Sequence, residues 1–330
     1  MSQPKKVTPL ETINAALHQA MEADSSVILF GEDVADPEEG GVNGASRGLS
    51  TKFGDSRVRS TPISEQAIIG AAVGSAMVGM RPIAEIMLMN FTTVAMDMII
   101  NHAAKLRFMS GGQTAMPLTI RVTTGAGFST AGQHSDYLEA WFAHTPGLKV
   151  VTYSNAADAA GLLLSSIFDD DPVIFIENLP GYWVKGDAPV MPIEPIPLGK
   201  AAIVREGSDV TVVTYGPQVA VAMNAAEKLS KDGIDVEVLD LRTIVPWDRD
   251  AVLSSVAKTG RAVVTHEAVK AFGVGAEISS VIHEELFSQL KAPVQRVGAP
   301  SSTVPYSKPL EMAFIPSVEK VEAAIRKALA

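Results

Sequence analysis

Five prolines fall within residues 178–198, at Pro180, Pro189, Pro192, Pro195 and Pro197, and no other feature constrains the fold of this chain as strongly. Proline fixes φ and removes an amide donor, so neither a helix nor a central strand runs through that stretch. The same rhythm appears on either side of it. Before it, apolar runs at 27–30, 81–89, 118–122, 149–152 and 173–177 alternate with helical periodicity over 9–23, 67–79, 92–109 and 156–168. After it, strand-like runs at 209–214, 236–240, 261–267 and 294–297 alternate with helical patterns over 219–230, 248–257 and 274–290. Such alternation predicts parallel sheets covered by helices, an α/β protein in two domains. The chain's 330 residues exceed the usual size of one domain, in keeping with that division. The expected boundaries are 1–185 for the first domain, 186–200 for a proline-rich linker and 201–330 for a second, smaller domain.

Composition narrows the function classes. With 47% hydrophobic and 19% charged residues, the chain can bury a core and is not of the disordered type. A net charge of -10, with no basic run beyond Lys5-Lys6, argues against nucleic acid as a partner. There is no cysteine, which excludes disulfides, thiolate metal sites and a cysteine nucleophile. No apolar run reaches the ~18 residues of a membrane span. Residues 1–6 are short and polar, without an export signal, so the expected compartment is the cytoplasm.

Two places carry candidate chemistry. Residues 67–79 are small or apolar apart from Ser75, the pattern of a helix buried all round. Glu65 stands at its mouth. An ionised carboxylate buried there costs several kcal/mol, roughly, unless something pairs with it, so Glu65 requires a partner. The plainer alternative is a helix start, with Ser64 capping and the carboxylate facing the positive end of the helix dipole. The second place is 125–134, a Gly/Ser/Thr-rich stretch between a strand and a helix, where His134 can reach a cleft at the strand ends. A solvated loop histidine is the plainer reading there. Residues 31–54 read as a long loop of the functional or mobile kind. No Gly-x-Gly-x-x-Gly follows a strand, no P-loop occurs, and the six histidines lack metal-ligand spacing.

Taken together, the segments Gly31-Glu32-Asp33-Val34, Thr61-Pro62-Ile63-Ser64-Glu65, Gly79-Met80-Arg81-Pro82, Asn101-His102-Ala103-Ala104-Lys105, Gln133-His134-Ser135, Pro146-Gly147-Leu148-Lys149-Val150-Val151, Asp240-Leu241-Arg242-Thr243 and Lys258-Thr259-Gly260-Arg261 run collinearly through the chain. The chain thereby resembles the beta subunits of the thiamine-diphosphate-dependent 2-oxo acid dehydrogenases, the decarboxylating components of pyruvate, branched-chain and acetoin complexes. The resemblance implies a pyrimidine-binding parallel-sheet domain followed by a transketolase C-terminal-like α/β domain. It implies that Glu65 hydrogen-bonds the cofactor's aminopyrimidine ring, that Phe91 packs on that ring, and that Glu32 is a second carboxylate nearby. His134 would stand beside the reacting carbon. In some members a potassium ion is held at positions matching Leu118, Ser166, Ile167, Asp169 and Asp171, although an acidic helix-end turn explains Asp169-Asp170-Asp171 equally well.

The Gly-Asp-Gly…Asn segment that binds magnesium and diphosphate is absent from this chain. In the family it lies on an alpha subunit, so the resemblance implies half an active site in an α2β2 heterotetramer. Partners would include a lipoyl acyltransferase core, and the substrate would be a 2-oxo acid or an acyloin such as acetoin. Departures from the family pattern gather around the cleft: Asn90 where many members have Asp, His134-Ser135-Asp136, Val150-Val151-Thr152-Tyr153-Ser154, and Glu177-Asn178-Leu179-Pro180-Gly181-Tyr182-Trp183. They leave open a two-subunit carboligase that transfers the activated carbon to an aldehyde, and a non-catalytic assembly subunit.

Overall fold

The computed structural model describes residues 6–330; residues 1–5, on which most of the leader-sequence reading rests, lie outside the described residues. The chain divides into two compact units. The first comprises residues up to Thr124 together with Trp141–Leu198, and the second comprises Gly125–Ala140 with Gly199–Ala330. The chain thus leaves the first unit after Thr124 and returns to it at Trp141, an excursion that linear boundaries do not express.

In the first unit six strands run parallel, in the order Lys149–Thr152, Val173–Asn178, Thr119–Thr124, Arg81–Ile86, Val27–Gly31 and Val58–Ser60. The strands Val27–Gly31, Lys149–Thr152 and Val173–Asn178 are mostly apolar and buried, as a sheet covered on both faces requires. The helix Pro9–Ala23 begins with a reciprocal cap, Thr8 Oγ1 accepting from the Glu11 amide at 3.2 Å while the Glu11 carboxylate accepts from the Thr8 amide at 2.7 Å. Its inner face, Ile13, Ala16, Leu17 and Ala20, shares a buried core with Ala159, Leu162 and Leu163 of the helix Ala156–Ile167. Full burial of a side chain such as Ile13 or Leu17 contributes about 1.5–3 kcal/mol.

Two local expectations, on the helices at 67–79 and 92–109, are corrected. The helix Glu65–Met77 is not buried all round: Ile68, Ile69, Ala72, Val73 and Ala76 are buried, but Gln66, Ala67, Ala71, Gly74 and Met77 are exposed. Its composition is apolar on both faces, and within this chain only one face finds a neighbour. The continuous helix expected over 92–109 is instead a 3-10 segment Met89–Ala95, a π-helical turn Met98–Ala103 and an α-helix Ala104–Met109. Apolar spacing marks the buried side but does not distinguish these windings. Residues 31–54 are a tied loop with a short helix Leu49–Phe53. Asp36 accepts from the amides of Gly48 and Thr51 at 2.5 and 2.7 Å and from Ser50 Oγ at 3.0 Å. These bonds hold its carboxyl down to about 2 against the opposing effect of burial. The proline-rich stretch also packs on the first unit. Gln19 bonds both backbone groups of Ile193, at 2.8 and 2.9 Å, and Gly186–Asp187 pairs with Lys6–Val7.

The second unit carries a sheet in the order Gln295–Ala299, Ala262–Val269, Val210–Thr214, Val236–Asp240 and Ala202–Arg205, with only the last antiparallel. Val210, Val212, Val236, Val238 and Val263 pack under Ala222, Ala225 and Leu229 of the helix Gln218–Ser230. The C-terminal helix Val318–Leu329 covers the same core with Val321, Ile325 and Ala328.

Gly147 and Gly74 should respond oppositely to one added methyl. Gly147 has φ +98, and a Cβ there would lie 2.0 Å from the Ala104 carbonyl oxygen, whereas a Cβ on helical Gly74 would meet nothing within 4 Å. Gly147→Ala is expected to cost about 2 kcal/mol or more, and Gly74→Ala to add up to ~1 kcal/mol, in urea unfolding.

Candidate functional site

The strands Val27–Gly31 and Arg81–Ile86 pair side by side, from Val27 opposite Arg81 to Phe30 opposite Ala84. From the first the chain proceeds to Val58–Ser60 on one flank of the sheet; from the second it proceeds to Thr119–Thr124 on the other. That divergence opens a crevice at the carboxyl ends of the two strands, where α/β sheets bind ligands. Glu32 follows the first strand directly. Phe91 lies in the segment Met89–Ala95 that follows the second. Glu65 opens the helix after Val58–Ser60. Three of the expected residues therefore come from the same edge of one sheet. The Glu65 charge reaches Glu32: burial first, and then the charges of Glu65, Asp33 and Glu85, raise the Glu32 carboxyl above its ordinary range.

Glu65 is 8% exposed. Ser64 does not cap the helix with its side chain, so the helix-start reading loses one of its two parts. Among the described residues no hydrogen bond or ion pair satisfies the Glu65 carboxylate. Beside it, Phe30, Pro62, Ser64, Ile68 and Ala71 help to line an apolar cavity of about 400 Å³. A carboxylate that accepts from no group of the chain, next in sequence to the lining of an apolar hollow, is an acceptor suited to a ligand that carries a donor.

One group of residues behind this edge went unseen in the sequence. Arg121, fully buried, donates to Glu85 Oε2 at 2.5 Å and to Glu177 Oε1 and Oε2 at 2.7 and 2.9 Å, and the Tyr182 hydroxyl donates to Glu177. The two carboxylates hold the guanidinium far above its ordinary range, against the larger opposing effect of burial. Removing one partner of such a buried set costs about 3–5 kcal/mol, so it ties the strands Arg81–Ile86, Thr119–Thr124 and Val173–Asn178 together under the crevice. The signal was available: Glu85, Arg121 and Glu177 are charges within otherwise apolar strands.

His134 belongs to the second unit. It ends a 3-10 turn Gly132–His134 and is exposed. The loop before it is held by buried carboxylates. Glu267 accepts from the Ala126 amide at 2.8 Å, and Glu311 accepts from the Gly127 amide at 2.7 Å and the Ser129 amide at 3.0 Å. Thr130 Oγ1 and Ser135 Oγ close the turn at 2.7 Å. Further along, Glu139 Oε1 accepts from the Tyr215 hydroxyl at 2.7 Å, while its Oε2 is buried without a partner.

The five positions matched to potassium are already met by donors of the chain. The carbonyls of Ile167 and Asp169 face the Arg81 guanidinium at 3.5 and 3.0 Å, Leu118 accepts from the Val173 amide at 2.9 Å, and Ser166 accepts from Asp169 at 3.4 Å. The Asp169 carboxylate takes Lys149 at 2.6 Å, and Asp171 takes Arg107 at 2.6 Å. With two guanidinium groups and an ammonium standing against these oxygens, the set does not fit an added potassium ion in this arrangement. Among the described residues no group of three or more His, Asp or Glu side chains is placed to hold a metal.

Burial holds the Glu139 carboxyl up to about 7, against the weaker opposing pull of Tyr215, and burial with the neighbouring charges of Glu139 and Glu311 does the same for Glu267. Burial pushes His266 down to about 4. In the unfolded chain such carboxyls ionise near 4.5, so their contribution to stability is complete below that pH and is lost as pH rises through about 7. The His266 contribution has the opposite sense, being lost as pH falls from 6.5 towards about 4. Glu139→Gln is therefore expected to flatten the decline between pH 4.5 and 7 and to stabilise the protein by up to about 3 kcal/mol at pH 8, read by urea unfolding at pH 5 and pH 8. An unchanged pH dependence would contradict this.

Comparison with known proteins agrees with this architecture. The transketolase pyrimidine-binding domain family matches residues 5–181, and the transketolase C-terminal domain family matches residues 199–321. A solved split-gene transketolase, described as an inactive β4 tetramer, superposes with a TM-score of 0.80 over 98% of this chain and 99% of that one; at 23% identity it speaks for the fold alone. Among relatives, the beta subunit of acetoin:2,6-dichlorophenolindophenol oxidoreductase of Cupriavidus necator is 46% identical over 98% of both chains. The pyruvate dehydrogenase E1 beta subunit of Rickettsia felis is 44% identical, again over 98% of both chains. The 2-oxoisovalerate dehydrogenase beta subunit of Bacillus subtilis is 42% identical over 96% of this chain and 97% of that one. With both transketolase domains present in order and such relatives along nearly its whole length, this chain belongs to the beta-subunit family of the thiamine-diphosphate-dependent 2-oxo acid and acetoin dehydrogenases.

Proposed function

We propose that this chain, joined to an alpha-type subunit in an α2β2 assembly, decarboxylates a pyruvate-like 2-oxo acid or cleaves an acyloin such as acetoin, and passes the acyl unit to a lipoyl acyltransferase core. The observation that carries the reading is Glu65: a largely buried residue whose carboxylate has no partner in the chain, at the switch-point edge of the sheet, with its charge felt by Glu32 and its sequence neighbours Ser64 and Ile68 lining an apolar hollow. The relatives' names do not favour a carboligase or a purely structural subunit.

When bound, thiamine diphosphate supplies a thiazolium carbon that serves as nucleophile and electron sink towards a carbonyl group. The chain's own residues do the rest. Glu65 shares a proton with a nitrogen of the aminopyrimidine, and Phe91 packs against that ring. Burial first, and then the charges of Glu65, Asp33 and Glu85, raise the Glu32 carboxyl above its ordinary range. His134, exposed at the end of its turn, holds the substrate carboxylate or moves a proton at the reacting carbon. Magnesium and the diphosphate are held by the alpha subunit, and the small, exposed apolar face of the helix Glu65–Met77 is offered to a partner subunit. The compartment proposed is the cytoplasm; separately, no helix among the described residues is long and apolar enough to cross a membrane.

The reading is tested on the chain co-purified with its alpha partner, supplied with thiamine diphosphate and magnesium. Pyruvate, branched 2-oxo acids and acetoin are compared by reduction of an artificial electron acceptor. Dye reduction with at least one of them is expected, and Glu65→Gln should lower turnover ~10²-fold or more on all alike while assembly persists. Carbon–carbon bond formation without dye reduction would replace this reading with the carboligase, and full turnover in Glu65→Gln would remove Glu65 from catalysis.

A further inference from the structure

The loop 125–135 is built in an unfavourable backbone conformation and is held from outside. Ser129 and Ala131 have φ of 57 and 60, in the left-handed region that non-glycine residues avoid. A Cβ on Gly132 would lie 2.2 Å from Thr303 Cγ2, so the turn carrying His134 is packed closely against Thr303 at its base. Such a loop persists only when its surroundings over-determine it.

The over-determining group is Glu311. It is fully buried, in the helix Lys308–Phe314, and both of its oxygens are engaged by the loop. Oε1 accepts from the Gly127 amide at 2.7 Å and the Ser129 amide at 3.1 Å; Oε2 accepts from the Ser129 amide at 3.0 Å and lies 3.4 Å from Ser129 Oγ. Glu267 adds one bond to the adjacent Ala126 amide. Ala126, Ala299, Val304 and Phe314 form a small apolar cluster beneath, so the helix bearing Glu311 and the start of the loop move as one packed unit. A carboxylate in a nest of backbone amides is a charge-assisted clamp, stronger and more directional than neutral bonds of the same number.

We propose that Glu311 is the positioning residue for His134: its buried carboxylate sets the strained loop 125–131, and through it the place of the His134 imidazole in the reaction. The inference rests on the role given to His134 above. Glu311 touches neither substrate nor cofactor. Its effect on turnover passes through the histidine, and the two residues are energetically one unit.

The test is a double-mutant cycle on the complete αβ complex with thiamine diphosphate and magnesium, using whichever substrate the panel selects. Glu311→Gln keeps the shape but turns an amide donor against the Ser129 amide; it is expected to lower kcat/KM by ~10- to 100-fold, the scale of a misplaced catalytic group. Glu311→Asp, which keeps the charge but loses reach, should lose less. Combined with His134→Ala, Glu311→Gln should cost nothing further. It should also displace the limb of the pH–rate profile that His134→Ala abolishes. If the losses multiply instead, or if Glu311→Gln alone is fully active while His134→Ala is impaired, the positioning role is overturned and the role of His134 stands. Full activity in His134→Ala removes the role of His134 itself. Should Glu311→Gln not assemble, the same cycle with Glu311→Asp decides between these outcomes.

Discussion

A carboxylate buried without an internal partner is the constraint around which the first unit is arranged. Glu65 is largely buried as a residue and its carboxylate takes no hydrogen bond or ion pair among the described residues, so it stands as an open acceptor at this edge. The parallel sheet makes the position possible. Two neighbouring strands diverge at their carboxyl ends, and the residues that follow each of them, Glu32 and Phe91, converge on the edge where the Glu65 helix begins. Behind that edge the Arg121 guanidinium, clamped by Glu85 and Glu177, keeps three strands in register. The charge that is satisfied supports the charge that is not.

The second unit uses buried carboxylates differently. Glu267 and Glu311 spend their acceptor capacity on backbone amides of an incoming loop, and Glu139 on the Tyr215 hydroxyl. The loop is strained, and the carboxylates hold it so. Two acidic groups pushed up to about 7 in one small region make that region sensitive to pH close to neutrality. Unit one thus leaves the Glu65 carboxylate open, while in unit two Glu267 and Glu311 accept from the backbone of the loop that precedes His134.

Much of this was legible in the sequence, for physical reasons. Fully buried parallel strands must be continuous apolar runs, and those around Val27, Leu118, Val150 and Ile174 were read as such. Glu65 stood out because a charge at the mouth of an apolar helix demands explanation. What was missed was short, exposed or decided by tertiary pairing. Val58–Ser60 and Ala202–Arg205 are edge strands of three and four residues with exposed positions, too brief for periodicity to speak. The helix Val318–Leu329 did carry a signal, with Ser317 as its cap and Val321, Ile325 and Ala328 on one face. The all-round burial expected for 67–79 failed for another reason: an apolar face can be covered by another chain, and hydrophobicity alone does not say whose atoms cover it. The potassium positions rest on the resemblance alone, because main-chain oxygens leave no trace in sequence, and the guanidinium of Arg81, distant in sequence, stands against two of them.

The most direct measurement of the account is the rate at which the thiazolium carbon proton of bound thiamine diphosphate exchanges with deuterated solvent in the complete αβ complex, wild type against Glu65→Gln. If Glu65 is the carboxylate that activates the ring, exchange should slow by ~10²-fold or more in the variant, the scale of a lost general acid–base group, while the cofactor still binds. Equal exchange rates, with the cofactor bound in both, would contradict the account.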